Sequence, residues 1–328
     1  MLGTELPGRL RVVTHGKLQP DPVIGIPKVR VQGQGGLLDV ALHPGYATNG
    51  WIYLCFSDPG SNGAGANVSM TAVVRGRISN NHWVDEQTVF RAPIETYLPT
   101  AHHFGCCLTF DDQGHLFFPI GERGRMHDVQ SVSLPNGKTH RVMDDGRIPT
   151  DNPFVKQPGA AESIWSYGHR NPQGLVFSQQ THELWESEHS PRGGDELNLI
   201  LPGRNYGWPE ITYGMDYHGT PISAFTAKEG MEQPVVHWTL FIAVCGIDFY
   251  YGDKLPRWRG NLFVPSLAGQ EFRRLVIDGH TVKEQEVVFK NIGRVRDVFC
   301  GPDGFIYLAL NSPDEIVRLE PVKRCPPG

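Results

Sequence analysis

Five places in this 328-residue chain combine residue types that can do chemistry. His103, in Ala101-His102-His103-Phe104-Gly105, carries an imidazole whose ordinary pKa suits proton removal near neutrality. Taken alone, one of 14 histidines reads as a surface or packing residue. Arg294 and Arg296 are one residue apart, so on a strand they share a face and present two forked cations to one anionic ligand. The alternative is a solvated charged strand, which the apolar neighbours Ile292 and Val298 argue against. In Gly168-His169-Arg170-Asn171-Pro172-Gln173-Gly174, Arg170 and Asn171 sit at a turn before a strand, although Asn-Pro also initiates turns with no further role. Glu188-His189-Ser190-Pro191-Arg192-Gly193-Gly194-Asp195-Glu196 is a Gly/Pro-rich acidic loop that can offer oxygen ligands to a hard cation, or be an acidic loop and nothing more. Cys106 and Cys107 are adjacent: either a strained vicinal disulfide or two thiols acting as small apolar residues.

The elements that must position these residues are strands. Gly 38 and Pro 26 make up about a fifth of the chain, against a usual ~12%, which argues for many short strands joined by turns. Hydrophobic residues at 39% exclude disorder. With 30 basic against 35 acidic residues there is no footprint for nucleic acid or an anionic membrane. The longest apolar run, Phe241 to Tyr251, is interrupted and falls far short of the ~20 residues of a membrane span. No CxxC pair occurs among the six cysteines, which disfavours a zinc site of the usual type. Met1-Leu2-Gly3-Thr4 lacks the features of a signal peptide.

One pattern recurs, a turn rich in Asp, Asn or Gly followed by a large apolar strand. It appears at Thr48-Asn49-Gly50, at Asp112-Gln113-Gly114, weakly at Gln180-Thr181-His182, at Trp258-Arg259-Gly260 and at Pro302-Asp303-Gly304. The spacing of about 45–75 residues suits four-stranded propeller blades with variable loops. A two-sheet β protein is the alternative. No convincing helical period occurs, so helices are expected to be few and short. Arg9–Val13 and Thr281–Phe289 alternate like outer strands. The expectation is one all-β domain over residues 1–328, a six-bladed propeller of four-stranded antiparallel blades whose first blade is truncated at the N-terminus.

Four ordered motifs sharpen this: Ile164 to Gly174, Gly194-Asp195-Glu196-Leu197-Asn198, Asn205-Tyr206-Gly207-Trp208-Pro209 and Gly293-Arg294-Val295-Arg296-Asp297-Val298. Through them, and over nearly the whole chain, the sequence resembles the soluble aldose sugar dehydrogenases of the glucose/sorbosone dehydrogenase family, six-bladed propellers that use pyrroloquinoline quinone (PQQ) and calcium. The resemblance implies oxidation of an aldose at its anomeric carbon, giving a lactone. It makes His103 the base and Arg170 the group that steadies oxygen charge. Arg123, Asn171, His189, Asp195, Arg294 and Arg296 would contact PQQ. The carbonyls of Ser190 and Pro191 would hold the calcium beneath it, and Glu196 with the Tyr206 carbonyl a second, structural calcium. It further implies an unidentified electron acceptor, a monomer or homodimer, and a periplasmic or secreted setting.

Three departures qualify the match. Cys106-Cys107 replaces a Gly-Arg pair, Ala268 replaces a PQQ-contacting lysine of some members, and His189 replaces a glutamine. These leave room for a cofactor-free propeller serving as a binding or scaffold module, as in the hedgehog-interacting proteins, or for different chemistry at a rebuilt site. The sequence reading expects Cys106 and Cys107 to form a vicinal disulfide lining the active-site mouth.

Overall fold

The computed structural model describes residues 1–61 and 67–321. The chain forms six successive antiparallel sheets, in which strands pair with their neighbours in chain order. This is a six-bladed β-propeller. Four sheets have four strands each, and the first and last have three. Among the described residues the only α-helix is Tyr46–Asn49, with three 3₁₀ turns besides.

The repeated turn has one geometric basis. One or two positions ahead of each large apolar strand lies a left-handed residue: Gly50 at φ 68°, Gly114 at 82°, His182 at 58°, Gly260 at 80° and Gly304 at 79°. Glycine reaches this region freely and other residues do so at a cost. The copy around His182 is weak as a sequence signal because histidine does there what glycine does elsewhere. The strands that follow are Ile52–Ser61, Leu116–Ile120, Glu183–Glu188, Leu262–Pro265 and Ile306–Asn311, each the second strand of its sheet. Arg9–Thr14, expected at an outer edge, is the middle strand of the first sheet, and its Leu10 is fully buried. A short strand, Leu2–Glu5, pairs with it ahead of the Leu6-Pro7-Gly8 turn. Thr281–Lys290 is an edge strand and largely exposed, as its alternation predicts.

Two compact units organise the chain. The first comprises 1–172, 200–212 and 223–233; the second comprises 173–199, 213–222 and 234–328. In the first, Leu37, Leu54 and Val74 pack on Leu10, and Tyr53, Cys55 and Val73 pack on Leu108, Phe118 and Ile120. In the second, Trp185, Val264 and Leu275 form one cluster, and Phe263, Phe272, Val298 and Leu308 another. Half-buried carboxylates link neighbouring sheets within each unit. Asp39 accepts the Leu108 N–H at 2.7 Å, and Asp248 accepts the Cys300 N–H at 2.8 Å. Burial raises their pKa values to about 6 and about 7.

Gly114→Ala tests the turn geometry. A Cβ there meets nothing within 4 Å, so the loss should be purely conformational, roughly 1–2 kcal/mol. His182→Ala, already left-handed without glycine, should change stability by less than about 0.5 kcal/mol. Urea unfolding measures both, and an unaltered midpoint for Gly114→Ala would refute the left-handed assignment.

Candidate active site

In the first unit, the loop 99–108 and the turn Gly121-Glu122-Arg123-Gly124 together hold His103 against Glu122. His103 is mostly buried and its Nδ1 hydrogen-bonds the Glu122 carboxylate. Glu122 is in turn held by its neighbours. Its own N–H donates to the Arg170 carbonyl at 2.7 Å, and the Gly124 N–H donates to its Oε1 at 3.0 Å. Burial drives the His103 pKa down to about 4, and the nearby Arg170 charge pushes the same way, while Glu122 pulls it back up. Burial pushes the Glu122 carboxyl up, but the hydrogen bond to His103, the nearby Arg170 charge and the Gly124 N–H together hold it below its usual range. At neutral pH the pair is therefore a neutral imidazole donating from Nδ1 to a carboxylate. That tautomer leaves the Nε2 lone pair as a proton acceptor.

The loop is gripped from every side. Gln34 Oε1 takes the His103 N–H at 2.8 Å, Thr71 donates to the Phe104 carbonyl at 2.7 Å, and Asn171 Oδ1 takes the Gly105 N–H at 3.3 Å. Arg123 is fully buried. Its guanidinium donates to the carbonyls of His102, Ser69 and Thr100 at 2.9, 3.0 and 2.5 Å and lies 3.7 Å over the Phe104 ring. An arginine committed in this way fixes the loop. This grip sustains left-handed conformations at His103, Cys106 and Arg123 (φ 54°, 78° and 59°), strain of the kind that collects at functional sites. Arg170 and Asn171 are buried alongside, with the Arg170 guanidinium 5.5 Å from the Trp208 ring. Tyr206 stacks on His169 at 4.7 Å, and its hydroxyl accepts the Leu201 N–H at 2.9 Å.

The expected vicinal disulfide does not form. Cys106 is bonded to Cys55 on Ile52–Ser61, 51 residues away, with Cα atoms 6.0 Å apart. That separation lies within the ordinary range, whereas neighbours across a trans peptide are only ~3.8 Å apart. Cys106 also faces the core cluster that contains Cys55, while Cys107 is only half-buried. The disulfide therefore anchors the loop three residues beyond His103. Cys325 lies outside the described residues.

In the second unit, Asp195 shapes the Gly/Pro-rich loop. Its Oδ1 takes the Ser190 N–H at 2.9 Å, and its Oδ2 takes those of Ile242 and Ala243 at 2.9 and 2.7 Å. Gly193 and Gly194 are both left-handed, at 75° and 77°, and backbone from Thr239 and Tyr213–Gly214 occupies the space their side chains would need. Ser190 and Pro191 are buried and His189 is half-buried. The loop's oxygen donors suit calcium rather than a soft metal. Glu196 lies opposite His237 on the strand Asp195–Ile200. Arg294 and Arg296 are exposed on one strand, with Arg296 in a bulge and donating to Gln173 Oε1 at 3.0 Å. Two exposed guanidiniums two residues apart fit a ligand with several carboxylates. Ala268 is exposed and adds no charge.

Sequence reading missed Glu122, although Gly121-Glu122-Arg123-Gly124 stood out for its arginine. The available signal was a carboxylate flanked by glycines, 19 residues after the candidate base.

These contacts lead to measurable expectations. Glu122→Gln should lower turnover at least ~10²-fold, because a neutral amide neither stabilises an imidazolium nor enforces the tautomer. The acid limb of kcat/KM should fall near pH 4 and not near 6.5. Stability carries the same sign: His103 binds a proton below 6.5 when unfolded but only below about 4 when folded, so its contribution is lost as pH falls through that window. Removing the disulfide by Cys55→Ala with Cys106→Ala should cost roughly 4 kcal/mol, given the length of loop it closes. It should also lower turnover. Thermal melts and dye-linked rates check both, and unaltered values would dissociate the disulfide from the base loop.

The glucose/sorbosone dehydrogenase family model matches residues 1–318. The chain is 41% identical over 327 residues to the aldose sugar dehydrogenase YliI of Escherichia coli, covering 98% of this chain and 86% of that protein. A glucose dehydrogenase crystal structure is 42% identical with a TM-score of 0.89, covering 94% of this chain and 88% of that one. The PQQ-bound aldose sugar dehydrogenase of Streptomyces coelicolor is 27% identical with a TM-score of 0.77, covering 97% and 90%. The chain thus belongs to the glucose/sorbosone dehydrogenase family.

Proposed function

We propose that this protein is a PQQ-dependent dehydrogenase that oxidises the anomeric carbon of aldoses to lactones. The observation that carries the reading is the His103 imidazole held through Nδ1 by the Glu122 carboxylate, with Arg170 close by. Such an oxidation needs a base for the hydroxyl proton while hydride leaves the same carbon. His103 Nε2 takes that proton, and the Glu122 carboxylate stabilises the imidazolium that results. Arg170 steadies the charge that develops on the substrate oxygen. When bound, PQQ with its calcium supplies the electrophilic hydride acceptor. Arg294 and Arg296 would hold PQQ carboxylates, with Asn171 and His189 as further contacts, and the carbonyls of Ser190 and Pro191 would hold the calcium. Asp195 keeps that loop in shape, and Arg123 keeps the base loop in shape. Electrons then pass to an external acceptor. The Cys55–Cys106 disulfide supports an oxidising, exported setting, and among the described residues no helix is long and apolar enough to cross a membrane.

Purified protein given PQQ and calcium should oxidise aldoses with a dye acceptor, and His103→Ala should lose at least ~10²-fold in turnover. Changing Arg294 or Arg296 to alanine should weaken PQQ binding by about 1.5–3 kcal/mol, roughly 10–150-fold, without unfolding the protein. Equal PQQ affinity in wild type and both variants would remove the arginine pair from the cofactor site, and no PQQ binding by the wild type would favour a cofactor-free scaffold.

A further inference from the structure

We propose that His102, His103 and Glu122 form a binding site for a divalent transition metal of the zinc class, and that occupation of this site switches off the base. One ligand atom from each of the three side chains lies within 4.8 Å of the other two. Two imidazoles and a carboxylate form a familiar zinc donor set, and nitrogen-rich donors favour zinc or copper over calcium. This is therefore a different kind of site from the oxygen-only Ser190–Pro191 loop.

The backbone holds the donors together. Arg123 grips the carbonyls of His102 and Thr100. Gly124 lacks the side chain that would meet His102 Nε2 at 2.6 Å, so the His102 ring can lie across that turn. The N–H of the same glycine donates to Glu122 Oε1. The two histidine rings stand edge to face, with centroids 4.6 Å apart. Closing on an ion thus needs small side-chain movements and no rearrangement of the loop.

The consequence for the base follows from where Glu122 sits. It lies at His103 Nδ1, so an ion held by Glu122 meets the ring through that nitrogen. The single proton of the neutral ring then resides on Nε2, and the ring as a whole gains or loses none. Nε2 becomes a donor, with no lone pair left to receive a substrate proton. Inhibition rests on His103 being the base; binding does not.

The test uses the full chain, stripped of metals by a chelator and without PQQ, titrated with Zn²⁺ in competition with a chromophoric zinc indicator. One zinc per chain should bind, and His102→Ala, His102→Gln and Glu122→Gln should each weaken it at least ~10-fold. Unaltered melting temperatures would show that the variants are folded. In enzyme loaded with PQQ and calcium, zinc should inhibit the wild type. His102→Gln, with its zinc-free turnover intact, should need at least ~10-fold more zinc for the same inhibition. No saturable zinc binding, or equal binding by folded His102 variants, would overturn the site. Zinc binding without inhibition of an active enzyme would overturn its effect on the base. If no sugar is oxidised at all, the indicator titration still decides whether the site exists.

Discussion

The hydrogen bond between His103 and Glu122 is the interaction on which the functional reading depends. A histidine buried this far loses its charge, and an uncharged imidazole can be either of two tautomers. Only the one with its proton on Nδ1 exposes Nε2 as a base. Glu122 selects it, and burial keeps it neutral at working pH. The surrounding contacts preserve this pairing: the Arg123 grip on the loop carbonyls, the Gln34, Thr71 and Asn171 hydrogen bonds, and the Cys55–Cys106 bond into the core. Stability spent on a strained, left-handed histidine is recovered in the packing around it.

Arg123 and Asp195 each hold surrounding backbone through several hydrogen bonds. Both occupy positions where cofactor contacts were expected. Arg123 is buried and directs its guanidinium to backbone carbonyls, and Asp195 gathers three backbone N–H groups. Each holds a loop that carries candidate site residues. A charge enclosed in this way is stable because its hydrogen bonds are satisfied, and removing it would leave orphaned carbonyls or amides in the interior. Arg294 and Arg296 differ: they are exposed and available to an anion.

What was legible in the sequence was local. A glycine or its substitute before each apolar strand marks the propeller repeat, because left-handed backbone has few tenants. Arg294 and Arg296 do lie on one strand with both side chains exposed, the condition under which their spacing lets them face one ligand. Pairings distant along the chain were not legible. Glu122 is 19 residues from His103 and Cys55 is 51 from Cys106, and adjacency drew attention to Cys107, whose bond with Cys106 would be strained. Arg9–Thr14 alternates like an edge strand yet sits in the middle of its sheet, since Leu2–Glu5 is too short and too polar to signal itself.

The central claim is most directly tested by following the His103 imidazole nitrogens by NMR in the folded protein as pH is varied. The account predicts a neutral ring protonated on Nδ1 from pH 8 down to about pH 5, with protonation of Nε2 only as pH approaches 4. A ring already doubly protonated at pH 6.5, or a neutral ring with its proton on Nε2, would contradict it.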